Sequence, residues 1–311
     1  MAPRRQRTGD AAAHDLAGSA PEGDTLSREQ VEASDDAIAW EPVAPDEQVR
    51  PFVQRGRGWQ SLHFSISAIQ SRMRTGRPDA LDLEYTRLMM GFLLFAARPR
   101  RLAMIGLGGG SMVKFIHRHL PQASLEVVEI NRHVVALRDE FGVPSDDERL
   151  HVSIADGADF VEQAQAGGRD VLLVDAFDTH GMPPPLATPR FYDACRRLLA
   201  PGGVFVVNLQ SGDPLCDLHV DRIATAFDGN VLRVEAGDHS NSVVFAGNGE
   251  PLRQARRRLG GRGGEGGEGS LSSPPMAQDR SGEAPMHGAL VDSLATDFAR
   301  IDRALDACET A

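Results

Sequence analysis

The stretch that decides the fold runs from Arg101 to Ile130, RLAMIGLGGGSMVKFIHRHLPQASLEVVEI. Apolar residues Leu102 to Ile105 lead into Gly106, Gly108, Gly109 and Gly110. Val113, Ile116 and Leu120 then recur at helical spacing until Pro121 stops the helix. A second β-rich run, Leu125 to Ile130, carries Glu129 near its end. Strand, glycine turn, helix, strand and acid make one βαβ unit suited to a nucleotide-like ligand. Glycines let the backbone turn tightly and come close to a ligand, because no Cβ intrudes. A carboxylate about 20 residues further on is placed to accept from a ribose diol. Ser111 stands where one register of G-x-G-x-x-G would have its third glycine, so a plain structural turn is the competing reading of the glycines alone.

Downstream, the alternation continues. Asn131 can cap a helix to about Phe141, Leu150–Ile154 is a short strand, and Asp156 and Gly157 follow it. A short helix (Asp159–Gln165), an apolar run ending in an acid (Asp170–Asp175) and a Pro-rich loop come next. A helix to Leu199 and a strand from Val204 to Leu209 follow, then a helix over Asp217–Phe227. The strands Asn230–Glu235 and Ser242–Gly247 are close enough to pair antiparallel. Apolar strands alternating with helices imply an α/β fold whose mostly parallel sheet is covered on both faces. The antiparallel last strand makes it class I methyltransferase-like (Rossmann-like) rather than the dehydrogenase form.

Upstream, Phe52–Met73 reads as a small N-terminal β-hairpin around Arg-Gly-Arg-Gly, and Leu81–Ala97 as a helix with a broad apolar face. The expected organisation is an acidic disordered tail (1–48), a hairpin plus helix (49–100) and a nucleoside-binding α/β catalytic domain (101–249). A Gly/Ser/Pro-rich linker (250–288) and an amphipathic helix (289–311) complete it. Leu290, Val291, Leu294, Phe298, Ile301 and Leu305 stripe that last helix, which must dock back on the domain or form an oligomer contact.

The 311 residues carry a net charge of −11, and residues 1–50 hold five Arg against eleven Asp or Glu. This balance argues against a nucleic-acid or anionic-membrane surface. No apolar run approaches about 20 residues, so no membrane span is expected. Three widely spaced cysteines give no disulfide framework or metal pattern, which fits a reducing cytoplasm and no metal.

Ligands of open α/β sheets bind outside the carboxyl ends of the strands. The acids line up there: Glu129, then Asp156, then Asp175 with Asp178. Helix or turn capping is the competing role for Asp156 and Asp175.

The glycine loop, VVEIN, ADGADF, DVLLVDAFD and LAPGGVFVVNL, in this order, resemble the spermidine synthase (polyamine aminopropyltransferase) family. The resemblance implies that Gly106, Gly108, Gly110, Glu129, Asp156 and Gly157 hold the nucleoside, Glu129 through the ribose and Asp156 with Gly157 at the adenine. It makes Asp175 the general base and Asp178 a holder of the amine, with Gln70 and Tyr85 at the edge of the amine pocket. The substrates implied are decarboxylated S-adenosylmethionine and a polyamine such as putrescine, and a homo-oligomer is the implied assembly. An alkyl ammonium titrates near pKa ~10 and has no lone pair at neutral pH, so a carboxylate must orient it and take its proton.

Three positions depart from the family. Gly109 stands where the family has an acid that grips the aminopropyl ammonium, Arg87 lies near the amine site, and Thr179 replaces a proline. Gly109 keeps open a methyltransferase using intact S-adenosylmethionine. The altered loop also keeps open a catalytically silent paralogue that binds a nucleoside or polyamine.

Overall fold

The computed structural model describes residues 44, 47–66, 69–178, 181–260 and 288–307, excepting the side chains of 256–260 and 288–293. The expected tail up to residue 43, the middle of the expected linker (261–287), Thr179 and the last four residues lie outside them.

Among the described residues, three antiparallel strands come first, β1 (Phe52–Gly56), β2 (Trp59–His63) and β3 (Ile69–Arg74), in the order β1-β2-β3. The expected hairpin therefore gains a third strand, because Ile69–Arg74 pairs with β2 and buries Ser71 and Met73. Helix α1 (Glu84–Met89) follows and tightens into a 3-10 turn over Met90–Leu94, where a single α-helix was expected.

The main sheet is built from β4 (Arg101–Ile105), α2 (Ser111–His119), β5 (Ser124–Glu129), α3 (Arg132–Val135), β6 (Leu150–Ile154), α4 (Gly157–Gln163) and β7 (Arg169–Val174). It continues with α5 (Pro189–Leu198), β8 (Leu199–Gln210), α6 (Cys216–Ala226), β9 (Val231–Glu235) and β10 (Asn241–Gly247). The seven strands run in the order β6-β5-β4-β7-β8-β10-β9. β4 to β8 are parallel, and β10 is antiparallel to both β8 and β9. The mostly parallel sheet with an antiparallel end is as the sequence implied. From β4 the chain builds outward to β6, then crosses back to place β7 on the other side of β4. The ends of β4 and β7 therefore form the topological switch point, where such sheets bind ligands.

Apolar side chains fill both faces of the sheet. Leu102, Met104, Val127, Leu173 and Phe245 belong to one core cluster, and Ala103, Val128, Leu172, Val174 and Phe205 to the other. Successive strand residues alternate between the two, as the two-residue period requires.

α3 is a single turn rather than the longer helix expected from Asn131 to Phe141. Tight turns follow it, and Phe141 closes back so that its carbonyl accepts from Lys114 Nζ at 2.7 Å. The expected linker begins instead as helix α7 (Pro251–Gly260), because Leu252 and Ala255, three apart, are buried against the sheet.

The last helix, α8 (Gly288–Ala307), docks on the domain. Leu294, Phe298, Ile301 and Leu305 are buried in the first core cluster, and Arg87 Nε donates to Asp297 Oδ2 at 3.1 Å. No helix among the described residues is long and apolar enough to cross a membrane.

Candidate active site

The glycine loop leaves β4 with Gly106 at φ +93°, Gly108 at +51° and Gly110 at +63°, a run of left-handed conformations that favours glycine. Gly106 N donates to Val128 O at 2.8 Å, and a Cβ on Gly106 would stand 2.1 Å from the Asp175 carbonyl oxygen. The loop is thus pressed against the end of β7 as well as β5. Gly109 lies against Ser71 of β3 and Phe141.

Glu129 ends β5 with its carboxylate turned back on this loop. Oε2 accepts from Leu107 N and Oε1 from Asn131 N, each at 2.8 Å. Burial raises its pKa, and these backbone N–H groups oppose the rise. A carboxylate oxygen has more than one acceptor direction, so each oxygen can still take a ribose hydroxyl. Gln48, assigned to the tail from sequence, donates through Nε2 to Ile130 O at 2.8 Å and so lies beside this acid.

Asp156 caps α4: its Oδ1 accepts from Ala158 N at 2.7 Å and Asp159 N at 3.2 Å. Gly157 is buried, and a Cβ there would meet Ile105 Cγ2 at 2.5 Å, so it lets α4 close on β4. Between Glu129 and Asp156 lie two exposed apolar side chains, Ile130 at 40% and Ile154 at 59% exposure. Glu129 and Ile154 are paired across β5 and β6. Their exposure at the ligand-binding end of the sheet could not be read from the sequence, where both look like core residues.

Asp175 stands at the end of β7, across the switch point. Its Oδ1 accepts from Asn208 Nδ2 at 3.0 Å. Tyr85 Oη lies 3.3 Å from both Asp175 Oδ2 and the Gln70 carbonyl oxygen, so its one proton is shared between them. Burial lifts the Asp175 carboxyl from its ordinary 3.8 to about 6, against the lowering effect of both hydrogen bonds. The Tyr85 phenol is raised well above its ordinary value, first by burial and then by the Asp175 charge, and stays a donor. Asp178 is exposed on the loop beyond, where its backbone N–H donates to Gly181 O at 3.0 Å.

The structure thus joins Gln70, Tyr85 and Asp175 directly, and places Glu129 on the glycine loop beside them. Asp178 and Asp156 flank this centre. Arg87 turns away from it: besides Asp297, it donates through Nη1 to Leu81 O and Asp82 O. The repulsion expected of an inward arginine is therefore absent. Nothing in the sequence marked the contact of Asn208 with Asp175. No group of three or more His, Cys, Asp or Glu that could hold a metal ion occurs among the described residues.

Chemically, the site offers a half-buried carboxylate that is ionised above about pH 6, a phenol donor and a buried carboxylate facing a glycine loop. Such a set suits a cation and a nucleoside held side by side. The spermine/spermidine synthase domain profile matches residues 82–228. A polyamine aminopropyltransferase of Chromobacterium violaceum is 40% identical over 188 residues, covering 60% of this chain and 72% of that protein. A human eEF1A lysine and N-terminal methyltransferase is 35% identical over 126 residues, 37% of this chain but 18% of its own length. In fold, a probable spermidine synthase from Corynebacterium glutamicum superposes with a TM-score of 0.57 at 20% identity, over 67% of this chain and 83% of that one.

Proposed function

Since the chain belongs to the polyamine aminopropyltransferase (spermidine synthase) family, we propose that it is a transferase that moves an aminopropyl group from decarboxylated S-adenosylmethionine to a polyamine such as putrescine. The observation that carries this reading is Asp175, held by Asn208 and Tyr85 across the switch point from Glu129 and the glycine loop. The amine nitrogen attacks the methylene beside the sulfonium sulfur. The C–S bond breaks, its electron pair stays on sulfur, and methylthioadenosine leaves. Asp175 takes the proton that the amine must lose to attack. With its carboxyl at about 6 it is mostly ionised at neutral pH, and closer in pKa to an amine than an ordinary aspartate is.

Glu129 holds the ribose hydroxyls while it pins the loop, and the adenine lies between Ile130 and Ile154 near Asp156. Gln70 and Tyr85 border the amine, and Asp178 meets its distal cation. We place the enzyme in the cytoplasm, where the buried free thiols Cys195 and Cys216 stay reduced, and propose a homo-oligomer as its assembly.

The test is product identity. Incubated with decarboxylated S-adenosylmethionine and a polyamine panel, the protein is expected to release methylthioadenosine and an aminopropylated amine, read by mass spectrometry. Gly109 favours a second reading, methyl transfer from intact S-adenosylmethionine, because no acid there excludes a carboxylate. S-adenosylhomocysteine as the by-product would replace the first reading with this one. Ligand-induced stabilisation with neither product would indicate a silent binding protein.

A further inference from the structure

Behind Asp175 lies a directional chain of amides that the transferase reading leaves unused. Asn208, 2% exposed in β8, gives its Nδ2 to Asp175 Oδ1 at 3.0 Å. Its Oδ1 accepts from Asn241 Nδ2, also at 3.0 Å. Asn241 opens β10. Asn208 pairs with Val243, two residues on, so the two asparagines are diagonal neighbours on one face of the β8–β10 ladder. Beyond the Asn241 carbonyl end stands Ser240 Oγ, 2.9 Å from its Oδ1, whose one proton is shared with Asp238 Oδ1 at 2.7 Å.

The two ends of an asparagine amide have nearly the same shape, so packing alone does not fix which faces where. Turned over, Asn208 would set its oxygen against the Asp175 carboxylate, an arrangement that only a protonated Asp175 could satisfy. The donor from Asn241 holds the carbonyl end of Asn208 and prevents the turn. We propose that Asn241 is a positioning residue for amine activation: acting through Asn208, it keeps a donor on Asp175 Oδ1 and leaves Oδ2 to Tyr85 and the amine. This rests on the aminopropyl-transfer reading for its role, though not for its geometry.

The titratable groups facing Asp175 from packed elements are Tyr85 of α1 and Glu129 of β5. Tyr85 stays a neutral donor and favours the Asp175 carboxylate, whereas the charges of Asp175 and Glu129 disfavour one another. The Asn208 N–H, with the Tyr85 O–H, therefore works against burial, which raises the carboxyl.

The experiment compares wild type with Asn241→Leu, nearly the same size without an N–H, and Asn241→Ala. Methylthioadenosine release is followed from pH 5 to 9.5. The acid limb of kcat is expected to move up by about one pH unit, a loss of about tenfold below the limb. Turnover at pH 9 returns to near wild type, and KM for the sulfonium nucleoside does not change. A merely structural role would instead lower kcat by one factor at every pH, and that result overturns the proposal. Titration of the Asp175 carboxyl by carbon-13 NMR, assigned by its loss in Asp175→Asn, reads the same upward shift without turnover. If wild type releases no methylthioadenosine, the transferase reading fails while this titration still decides the positioning. An Asp175 midpoint that is the same in wild type and both variants overturns it.

Discussion

Ser71 stands where a side chain on Gly109 would go: its Oγ is 2.7 Å from the ideal Cβ position, and Phe141 Cδ1 is 2.9 Å from it on another side. The family's acid at this loop position is thus missing here, and its space is filled from β3 and from the turn after α3. Phe141 is fixed in turn by its carbonyl, which accepts from Lys114 Nζ. Burial lowers that ammonium to about 8. Gly109→Asp is therefore expected to destabilise the fold by about 1–3 kcal/mol, as overpacking does. Ser71→Gly in the same chain should return part of this. Thermal melts of the single and double variants measure it, and equal melts would refute the filled space.

With Asp175 as the proposed base, the pH dependence of turnover is expected to follow its carboxyl. A carboxyl at about 6 accepts a proton only when ionised, so kcat/KM is expected to fall about tenfold per pH unit below that value.

Stability runs the other way for this group. Its folded pKa lies above its ordinary 3.8, so the folded state binds the extra proton between about pH 4 and 6. Asp175 thus favours folding most below that window and loses the contribution as pH rises through 6. Asp175→Asn is expected to abolish turnover while raising Tm at pH 8 by about 2–6 °C, with the gain shrinking toward pH 4. Differential scanning calorimetry at the two pH values checks the sign.

On the proposed reading, nucleoside affinity is expected to divide between Glu129 and the two isoleucines. Glu129→Gln turns an N–H2 toward one of two backbone donors, Leu107 N or Asn131 N. It should weaken methylthioadenosine by more than tenfold, since an unmet buried donor costs about 1–3 kcal/mol. Ile154→Ala removes only an apolar wall and should cost about 1–2 kcal/mol. Calorimetric titration with methylthioadenosine separates the two.

The docked last helix makes a further prediction. Ile301 is fully buried, and its Cδ1 stands 2.2 Å from where a Cβ on Gly91 would be. Ile301→Ala is expected to cost about 2–5 kcal/mol, and Gly91→Val to destabilise comparably by collision. Urea unfolding of both variants tests whether the helix is part of the cooperative fold.

Much of this architecture could be read along the chain. Strands β4 to β7 announce themselves as short runs between helical stretches, and Glu129, Asp156 and Asp175 fall at the ends of β5, β6 and β7, on the edge where open α/β sheets bind ligands. What could not be read depends on distant partners. The helix expected over Leu81–Ala97 tightens where Gly91 admits Ile301, more than 200 residues away. The helix expected to reach Phe141 gives way to turns that carry this ring to the glycine loop. The role of Asn208 was hidden because its two partners, Asp175 and Asn241, come from different strands. Ile130 and Ile154 looked like core because hydrophobicity does not reveal an open strand end. Arg87 looked threatening because its counter-charge, Asp297, is supplied by the last helix.

That last contact bears on how the protein is made. α8 backs α1, the helix that presents Tyr85 to Asp175, and Arg300 of α8 pairs with Glu84 at the start of α1. A ribosome has finished every strand and every acid of the site before Leu294 to Leu305 are synthesised. Until they emerge, the nascent chain shows water a bare apolar seam along α1, and Arg87 lacks its Asp297 partner. Chaperone capture is therefore expected at that seam until those residues emerge, and α1 gains its backing only as the helix settles.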